Sequence, residues 1–398
     1  MSVVMGWLIF LASVAGHTEL WIMAVNRTHA LPIRAKKLRR FRTLHDVAVV
    51  AYPLILFSLT GLGPDSLLRG ARFRDQTEFV RWLLVVTLPG CVPLILGLLR
   101  WQLIRRRQFH QADERRVIHV LSDAISQSDD PDAGTRVRGP RVSMLHRVPG
   151  SQIFQLEVNR KTVRRGRLQQ SDAAEEREPL RIVHLSDLHF VGCPGEDFYR
   201  RMVEEVINIQ PHLVVFSGDL IDQVDLLPTA IEILQPLTRL APAFFVLGNH
   251  DWRYDDQMIR QQLTESGWNG VAGISCVVRV AGRTVLIAGT ERPWMGTNPP
   301  DATHAGADLK ILISHSPDQI SFAGKCGFDL MLSGHTHGGQ VVLPVIGPVY
   351  SPSIHGVSFV SGLFDVGKLT LHVTRGVGAK DPLRLNCTPE VTCLEVHC

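Results

Sequence analysis

Two stretches decide the reading of this chain: Ser314-His315-Ser316-Pro317 and Ser333-Gly334-His335-Thr336-His337-Gly338-Gly339-Gln340. They set three histidines at the ends of two short apolar runs, Leu309–Ile313 and Asp329–Leu332. Neutral imidazole is a common metal ligand. Three earlier blocks follow the same rule. Ile182–Leu185 runs into Asp187-Leu188-His189, Leu213–Phe216 into Gly218-Asp219, and Phe244–Leu247 into Gly248-Asn249-His250-Asp251. Each block is weak alone, because a solitary Asp-x-His or Gly-Asp is usually a surface turn. The glycines around His335 and His337 let the backbone turn tightly with both rings forward. Open α/β sheets bind ligands beyond the carboxyl ends of their strands. Five apolar runs that each deliver Asp, Asn or His there look like a two-metal hydrolase.

Outward from these blocks, strands and helices alternate from Leu180 onward. Strands are expected over Arg181–Leu185, Leu213–Phe216 and Ala243–Leu247, and helices over Glu196–Ile209, Leu226–Leu240 and Asp255–Ser266. Ala281-Gly282-Arg283 reads as a hairpin turn between Ile274–Val280 and Thr284–Ala288. Later strands are expected over Leu309–Ile313, Leu330–Ser333, Val357–Leu363, Leu369–Thr374 and Val391–Val396, with Asp365-Val366-Gly367 as a turn. The fold class that follows is α/β, two packed mixed β-sheets flanked by helices. Its domain is placed over 151–398.

The amino-terminal part is different. Val3–Val25, Val47–Gly63 and Trp82–Ile104 are apolar runs near the roughly 20 residues that a membrane helix needs. His17 and Glu19 interrupt the first, and Pro53, Pro89 and Pro93 lie in the others, where membrane helices tolerate proline. A membrane region is thus expected over 1–108. Arg27, Arg34, Lys36, Lys37, Arg39, Arg40 and Arg42 lie between the first two runs, and Arg105, Arg106, Arg107, Arg115 and Arg116 follow the third. The bias of Lys and Arg toward the inside puts both groups, and the rest of the chain, in the cytoplasm of a multi-pass inner-membrane protein. A linker is expected over 109–150, with a short helix over Glu114–Ile125 and an exposed loop over Ser126–Gly139. Gln152–Val158 alternates as a strand does, and Ser171–Glu178 reads as an acidic loop.

Composition narrows the classes. A net charge of +4 over 398 residues gives no reason to expect a nucleic-acid partner. The basic residues crowd into 27–42, 100–116 and 136–167, which suits either membrane topology or contact with an anionic lipid surface. Seven cysteines without a Cys-x-x-Cys pair make neither a disulfide framework nor a zinc site.

The blocks Asp187-x-His189, Gly218-Asp219-x-x-Asp222, Gly248-Asn249-His250-Asp251, His315 and Gly334-His335-Thr336-His337 resemble the calcineurin-like metallophosphoesterase superfamily over about residues 180–398. Further motifs are Thr374-Arg375-Gly376-Val377-Gly378, Pro382-Leu383-Arg384 and Pro389-Glu390-Val391. They are similar to the membrane-associated bacterial YkuE-like branch, among whose relatives are UDP-diacylglucosamine pyrophosphohydrolases. The resemblance implies two divalent metals, manganese first and iron or zinc as alternatives. By position, Asp187, His189 and His337 would hold one metal, Asn249, His315 and His335 the other, and Asp219 both. It implies attack on phosphorus by a metal-bridging hydroxide, with His250 serving the leaving oxygen and Asp222 orienting His250. Arg375 is a candidate phosphate contact. Glu291-Arg292-Pro293-Trp294 is either a plain loop or part of a substrate rim.

One departure bears on substrate. Protein serine/threonine phosphatases of the superfamily carry Asp-Arg-Gly where this chain has Asp222-Gln223-Val224, which argues against a phosphoprotein. The expected function is hydrolysis of a phosphodiester or pyrophosphate bond at a lipid bilayer, with a lipid-linked substrate such as UDP-diacylglucosamine. General phosphatases and nucleotide phosphodiesterases are the alternatives among enzymes. A non-catalytic membrane sensor is the alternative outside them, and the intact ligand set argues against it.

Overall fold

The computed structural model describes residues 1–63, 66–108, 113–119, 147–164 and 178–398. The chain divides into two compact units, one of Met1–Arg105 with Val345–Ser358 and one of Arg106–Pro344 with Phe359–Cys398.

In the second unit, near-continuous apolar strands build two sheets. The first runs in the order Glu114–His119, Gln155–Arg164, Glu390–His397, Leu180–Leu185, Leu213–Phe216, Ala243–Phe245, Asn269–Gly270. The second runs Gly362–Val366, Leu369–Val373, Leu330–Ser333, Leu309–Ser314, Arg283–Thr290, Ser275–Val280. The strands that end in functional blocks are parallel neighbours within each sheet. That is why their carboxyl ends gather. Between the sheets, Ile182, Leu213, Val215 and Phe244 pack with Val285, Ile287, Ile311, Ile313 and Leu332. Each such fully buried side chain contributes about 1.5–3 kcal/mol.

Helix Glu196–Ile209 covers the outer face of the first sheet. It opens on Glu196 and Asp197, which suit the helix amino end. It buries Phe198, Met202, Val206 and Ile209 at helical spacing and ends where Gln210 turns left-handed. Helix Leu227–Leu240 buries Ala230, Ile233, Leu234 and Leu237 beside it. Helix Ile320–Lys325 covers the other sheet, its Ile320 and Ala323 buried.

A polar chain is buried between the sheets. Lys161 Nζ lies 3.2 Å from His372 Nε2, His372 Nδ1 lies 2.8 Å from His184 Nδ1, and His184 Nε2 lies 2.9 Å from Ser217 Oγ. Lysine can only donate, so two neutral rings pass one direction along the chain: Lys161 to His372, His372 to His184, His184 to Ser217. Burial pushes His184 down to about 3, against the opposing charges of Glu390 and Asp187.

The first unit contains three helices long and apolar enough to cross a membrane, within Val3–His29, Lys36–Gly61 and Glu78–Leu99. Polar groups tie them together. Ser13 Oγ lies 2.7 Å from Tyr52 OH and 2.6 Å from Thr87 Oγ1. A Cβ on Gly90 would stand 2.1 Å from the carbonyl oxygen of Gly16, so that crossing needs glycine.

Several expectations are corrected. Glu114–His119 is a strand rather than the start of a helix, because β-branched Val117 and Ile118 pair antiparallel with Gln155–Arg164. Arg115 also pairs with Glu157, and Arg116 with Glu205. Val357–Leu363 is not a strand: a 3-10 turn occupies Gly356–Phe359, and Gly362 at φ 113° starts the strand Gly362–Val366. The second apolar helix begins at Ala35, within the basic stretch. The third is a helix Glu78–Thr87, a 3-10 turn Leu88–Gly90 at Pro89, and a helix Cys91–Gln108. The loops expected over 126–139 and 171–177 lie outside the described residues.

The buried neutral ring of His184 gives stability a pH dependence. In the unfolded chain it binds a proton near pH 6.5, in the folded chain only near 3. Between these values the unfolded state holds more protons, so stability falls as pH is lowered through the window, by up to about 1.4 kcal/mol per pH unit for this group. His184→Gln is expected to reduce the slope of unfolding free energy against pH, measured by urea titration in chelator. An unchanged slope would mean that His184 takes up a proton in the fold.

Candidate metal centre

The site forms where the strand ends turn sharply. Asp187, His189, Asp219, His335 and His337 all have left-handed backbones, with φ of 52°, 45°, 60°, 70° and 51°. Non-glycine residues adopt this region at a cost, and such strain gathers at functional sites. Close approach demands glycine next to them. A Cβ on Gly248 would lie 2.1 Å from Asp219 Oδ1, and one on Gly334 would lie 2.2 Å from Asp187 Oδ2.

Two ligand clusters result. In the first, His337 Nε2 lies 3.1 Å from His189 Nε2 and 3.4 Å from Asp187 Oδ1, while His189 Nε2 lies 3.7 Å from Asp187 Oδ1. In the second, His315 Nε2 lies 3.2 Å from Asp219 Oδ2 and 3.1 Å from Asn249 Oδ1, and His335 completes the group. Asp219 Oδ2 is also 3.5 Å from His189 Nε2, which puts one oxygen between the clusters.

These residues fit metals. Metal–ligand bonds of about 2.1 Å put adjacent ligand atoms roughly 3.0–3.4 Å apart, and the observed spacings are close to that. His335 Nε2 is buried and has no hydrogen-bond partner among the described residues, although it belongs to the second cluster. A cation would satisfy that nitrogen.

Electrostatics supports the same reading. Burial opposes charge on Asp187 and Asp219, yet the surrounding imidazoles outweigh it and hold both carboxyls below the usual range. Burial likewise opposes charge on His189 and His315, but Asp222 and Asp187 raise the first to about 10, and Asp219 raises the second to about 9. His337 is pushed by burial to about 3, and His335 also goes down. In each cluster one ring thus favours the doubly protonated form and the other the neutral form. Metal binding displaces such protons.

Asp222 divides its carboxylate. Oδ2 accepts from His189 Nδ1 at 2.7 Å and Oδ1 accepts from His250 Nδ1 at 2.6 Å. Arg253 Nη1 also stands 3.2 Å from His250 Nδ1. A ring nitrogen that donates to Asp222 cannot accept from Arg253, and the shorter contact to a carboxylate prevails.

The structure gives definite contacts to residues that the sequence left without a role or with two readings. Asp251 is fully buried. Its oxygens accept from the backbone N–H groups of Asp219, Gly248 and Leu220, each at 2.9 Å, so it pins two ligand loops together. Burial and the Asp219 carboxylate push it up to about 7, against those donors. Its place in Gly248-Asn249-His250-Asp251 was the available signal. Arg384 is buried, donates to the carbonyls of His337 and Arg375 at 2.9 and 2.7 Å, and supports the His337 loop. Trp294 meets His335 edge-on at a centroid distance of 4.9 Å, so the 291–294 stretch walls the second cluster. Glu291 accepts from the backbone N–H of Leu247 at 2.6 Å and pairs with Arg260. Arg375 Nη2 pairs with Glu157 and Glu390, each at 2.7 Å. Burial opposes its charge, but the two carboxylates hold it strongly protonated. A phosphate contact by Arg375 would have to compete with both.

Comparison with known proteins matches this geometry. Residues 180–339 match the model of the calcineurin-like phosphoesterase family. The chain is 33% identical over 224 residues to Phosphodiesterase YaeI of Escherichia coli K12, covering 55% of this chain and 82% of that one. It is 29% identical over 225 residues to the uncharacterized metallophosphoesterase YkuE of Bacillus subtilis 168, covering 54% and 77%. It is 31% identical over 234 residues to a transmembrane protein with metallophosphoesterase domain from Danio rerio, covering 54% and 52%. The chain belongs to the calcineurin-like phosphoesterase family, and it is a metal-dependent phosphoester hydrolase.

Asp222→Asn leaves the position filled but removes the charge that orients His189. Outer-shell partners of this kind are worth about 10–100-fold in metal affinity. The expected outcome is a loss of that size, measured as metal retained after dialysis against graded chelator. Retention equal to that of the parent protein would show that His189 needs no such partner.

Proposed function

We propose that this protein is a membrane-anchored phosphodiesterase or pyrophosphohydrolase with its site on the cytoplasmic face. The observation that carries the chemistry is the shared carboxylate of Asp222, which orients both a ring of the first cluster and the ring of His250. Asp187, His189 and His337 would hold one metal, Asn249, His315 and His335 the second, and Asp219 would serve both. Two divalent cations, manganese first among them, would supply Lewis acidity toward the phosphoryl oxygens and a nucleophile at neutral pH.

The remaining steps belong to this chain's residues. Asp222 accepts from His250 Nδ1–H, so Nε2 can give a proton to the departing oxygen when the ring is doubly protonated. Burial pushes His250 down despite Asp222, which disfavours the doubly protonated ring that this donation requires. The backbone N–H of His250 donates to Asp219 Oδ1 at 2.8 Å, so the acid and the shared carboxylate keep a fixed relation. Trp294 keeps water from one side of His335. In this reading, residues 1–108 are the membrane region, the catalytic domain lies carboxyl-terminal to it, and the strand Glu114–His119 within 109–150 belongs to the catalytic sheet. Anchoring is supported by the three apolar helices and by the transmembrane naming of the Danio rerio relative. Anchoring supports a substrate whose phosphoester is linked to lipid.

The test is hydrolysis by purified, manganese-loaded protein. Bis-p-nitrophenyl phosphate, p-nitrophenyl phosphate and UDP-diacylglucosamine are offered in parallel. Turnover of diester or pyrophosphate is expected, with losses of about 10²–10⁴-fold in His250→Ala and greater loss in Asp219→Asn. Preference for the monoester would overturn the diester reading. Absence of turnover with manganese, iron and zinc alike would favour a non-catalytic sensor.

A further inference from the structure

The stretch after the last ligand block takes no part in this chemistry. It passes from the short strand Val342–Leu343 through Pro344-Val345-Ile346 to the short strand Gly347–Pro348. Val345 is 70% exposed, and Leu343, Ile346 and Ile354 are exposed as well. Val345 also has φ 68°. A β-branched residue is a genuine outlier there, and glycine or asparagine would take the position at lower cost. This stretch therefore holds an apolar side chain outward in a strained backbone. Neither folding nor solubility favours that arrangement.

Val345–Ser358 belongs to the helical unit. Gln102 Nε2 donates to the carbonyl of Val345 at 2.8 Å, and the backbone N–H of Ser351 donates to Asn26 Oδ1 at 3.1 Å. The rings of Tyr350 and His29 meet edge-on at 5.7 Å. Asn26 and His29 end the first apolar helix, and Gln102 lies near the end of the helix Cys91–Gln108. Arg27, Arg34, Lys36 and Lys37 lie at that same end. Exposed apolar side chains on the same side as Lys and Arg suit the headgroup boundary of an anionic bilayer.

We infer that Val345–Ser358 is an interfacial membrane loop that inserts Val345, Ile346 and Ile354 at the headgroup boundary of an anionic bilayer, on the face marked by these basic residues. The inference rests on the proposal that the apolar helices span the membrane. It gives the enzyme a second lipid contact, on the chain segment that leaves the His335–His337 block.

The test uses the full chain in nanodiscs of phosphatidylcholine with phosphatidylglycerol. The background replaces the partly exposed Cys91, Cys276, Cys326 and Cys398, and is accepted if it still hydrolyses bis-p-nitrophenyl phosphate. Nitroxide is attached in turn through Ile346→Cys, Ile354→Cys, Leu96→Cys within an apolar helix, and Val366→Cys as the aqueous reference. The ratio of collisions with oxygen to collisions with a water-soluble nickel chelate is expected to be several-fold higher at 346 and 354 than at 366, approaching that at 96. Water-like ratios at 346 and 354 with a lipid-like ratio at 96 would overturn the loop alone. A water-like ratio at 96 would overturn the anchoring and the loop with it. In nanodiscs of phosphatidylcholine alone the ratio at 346 is expected to fall, and an unchanged value would overturn the preference for anionic lipid.

Discussion

Asp187 and Asp219 are fully buried, and a buried carboxylate is tolerated only with opposing charge and hydrogen bonds. That constraint shapes everything around them. Asp187 accepts the backbone N–H of His335, and Asp219 accepts that of His250. Imidazoles crowd both, and the charge that remains unmatched is what divalent cations neutralise. Without cations, His189 and His315 each take a proton that burial alone would deny them. The site is therefore built to be cationic at two places close together. A phosphoester, with anionic oxygens around one phosphorus, complements it.

Bringing the carboxylates together is a backbone problem before it is an electrostatic one. Parallel strands supply the direction, and left-handed turns just past their ends supply the aim. Gly248 and Gly334 are small because the neighbouring carboxylates stand where a Cβ would be. Asp251 then locks two of these turns through three backbone donors, which keeps strained conformations from relaxing. The polar chain from Lys161 to Ser217 lies deeper, and the carbonyl of Ser217 is 2.8 Å from His315 Nδ1. The interior between the sheets thus fixes which nitrogen of His315 points at the site.

This division explains what the sequence made legible. Asp, Asn and His next to glycine after apolar runs are local signals, and the fold brings Asp187, His189 and His337 close together, and Asp219, His315 and His335, with Asn249 beside His315. The helix Glu196–Ile209 was legible from its place between two apolar runs, and the structure has it with the same bounds. Arg384, Glu291 and Trp294 were visible only as motif or loop residues, and their partners were not, because each acts on a residue far away in the chain. Glu114–His119 misled for the same reason. Its local pattern admits a helix, and only the antiparallel partner decides for a strand. The break at Leu88–Gly90 is local in origin, but hydropathy averages over Pro89 and hides it.

Asp222 shows how substrate choice enters the same geometry. Its two oxygens couple the hold on His189 to the position of His250, so neither ring can shift without the other. The residue after it is Gln223, whose Nε2 donates to the carbonyl of Val191 at 3.0 Å. That bond stiffens the loop that follows the first ligand block. Where protein phosphatases of this superfamily place an arginine, this chain has a neutral amide engaged with backbone. The position adds no positive charge for a phosphorylated side chain. The side chains that flank two rings of this geometry are Trp294, next to His335, and Arg253, next to His250.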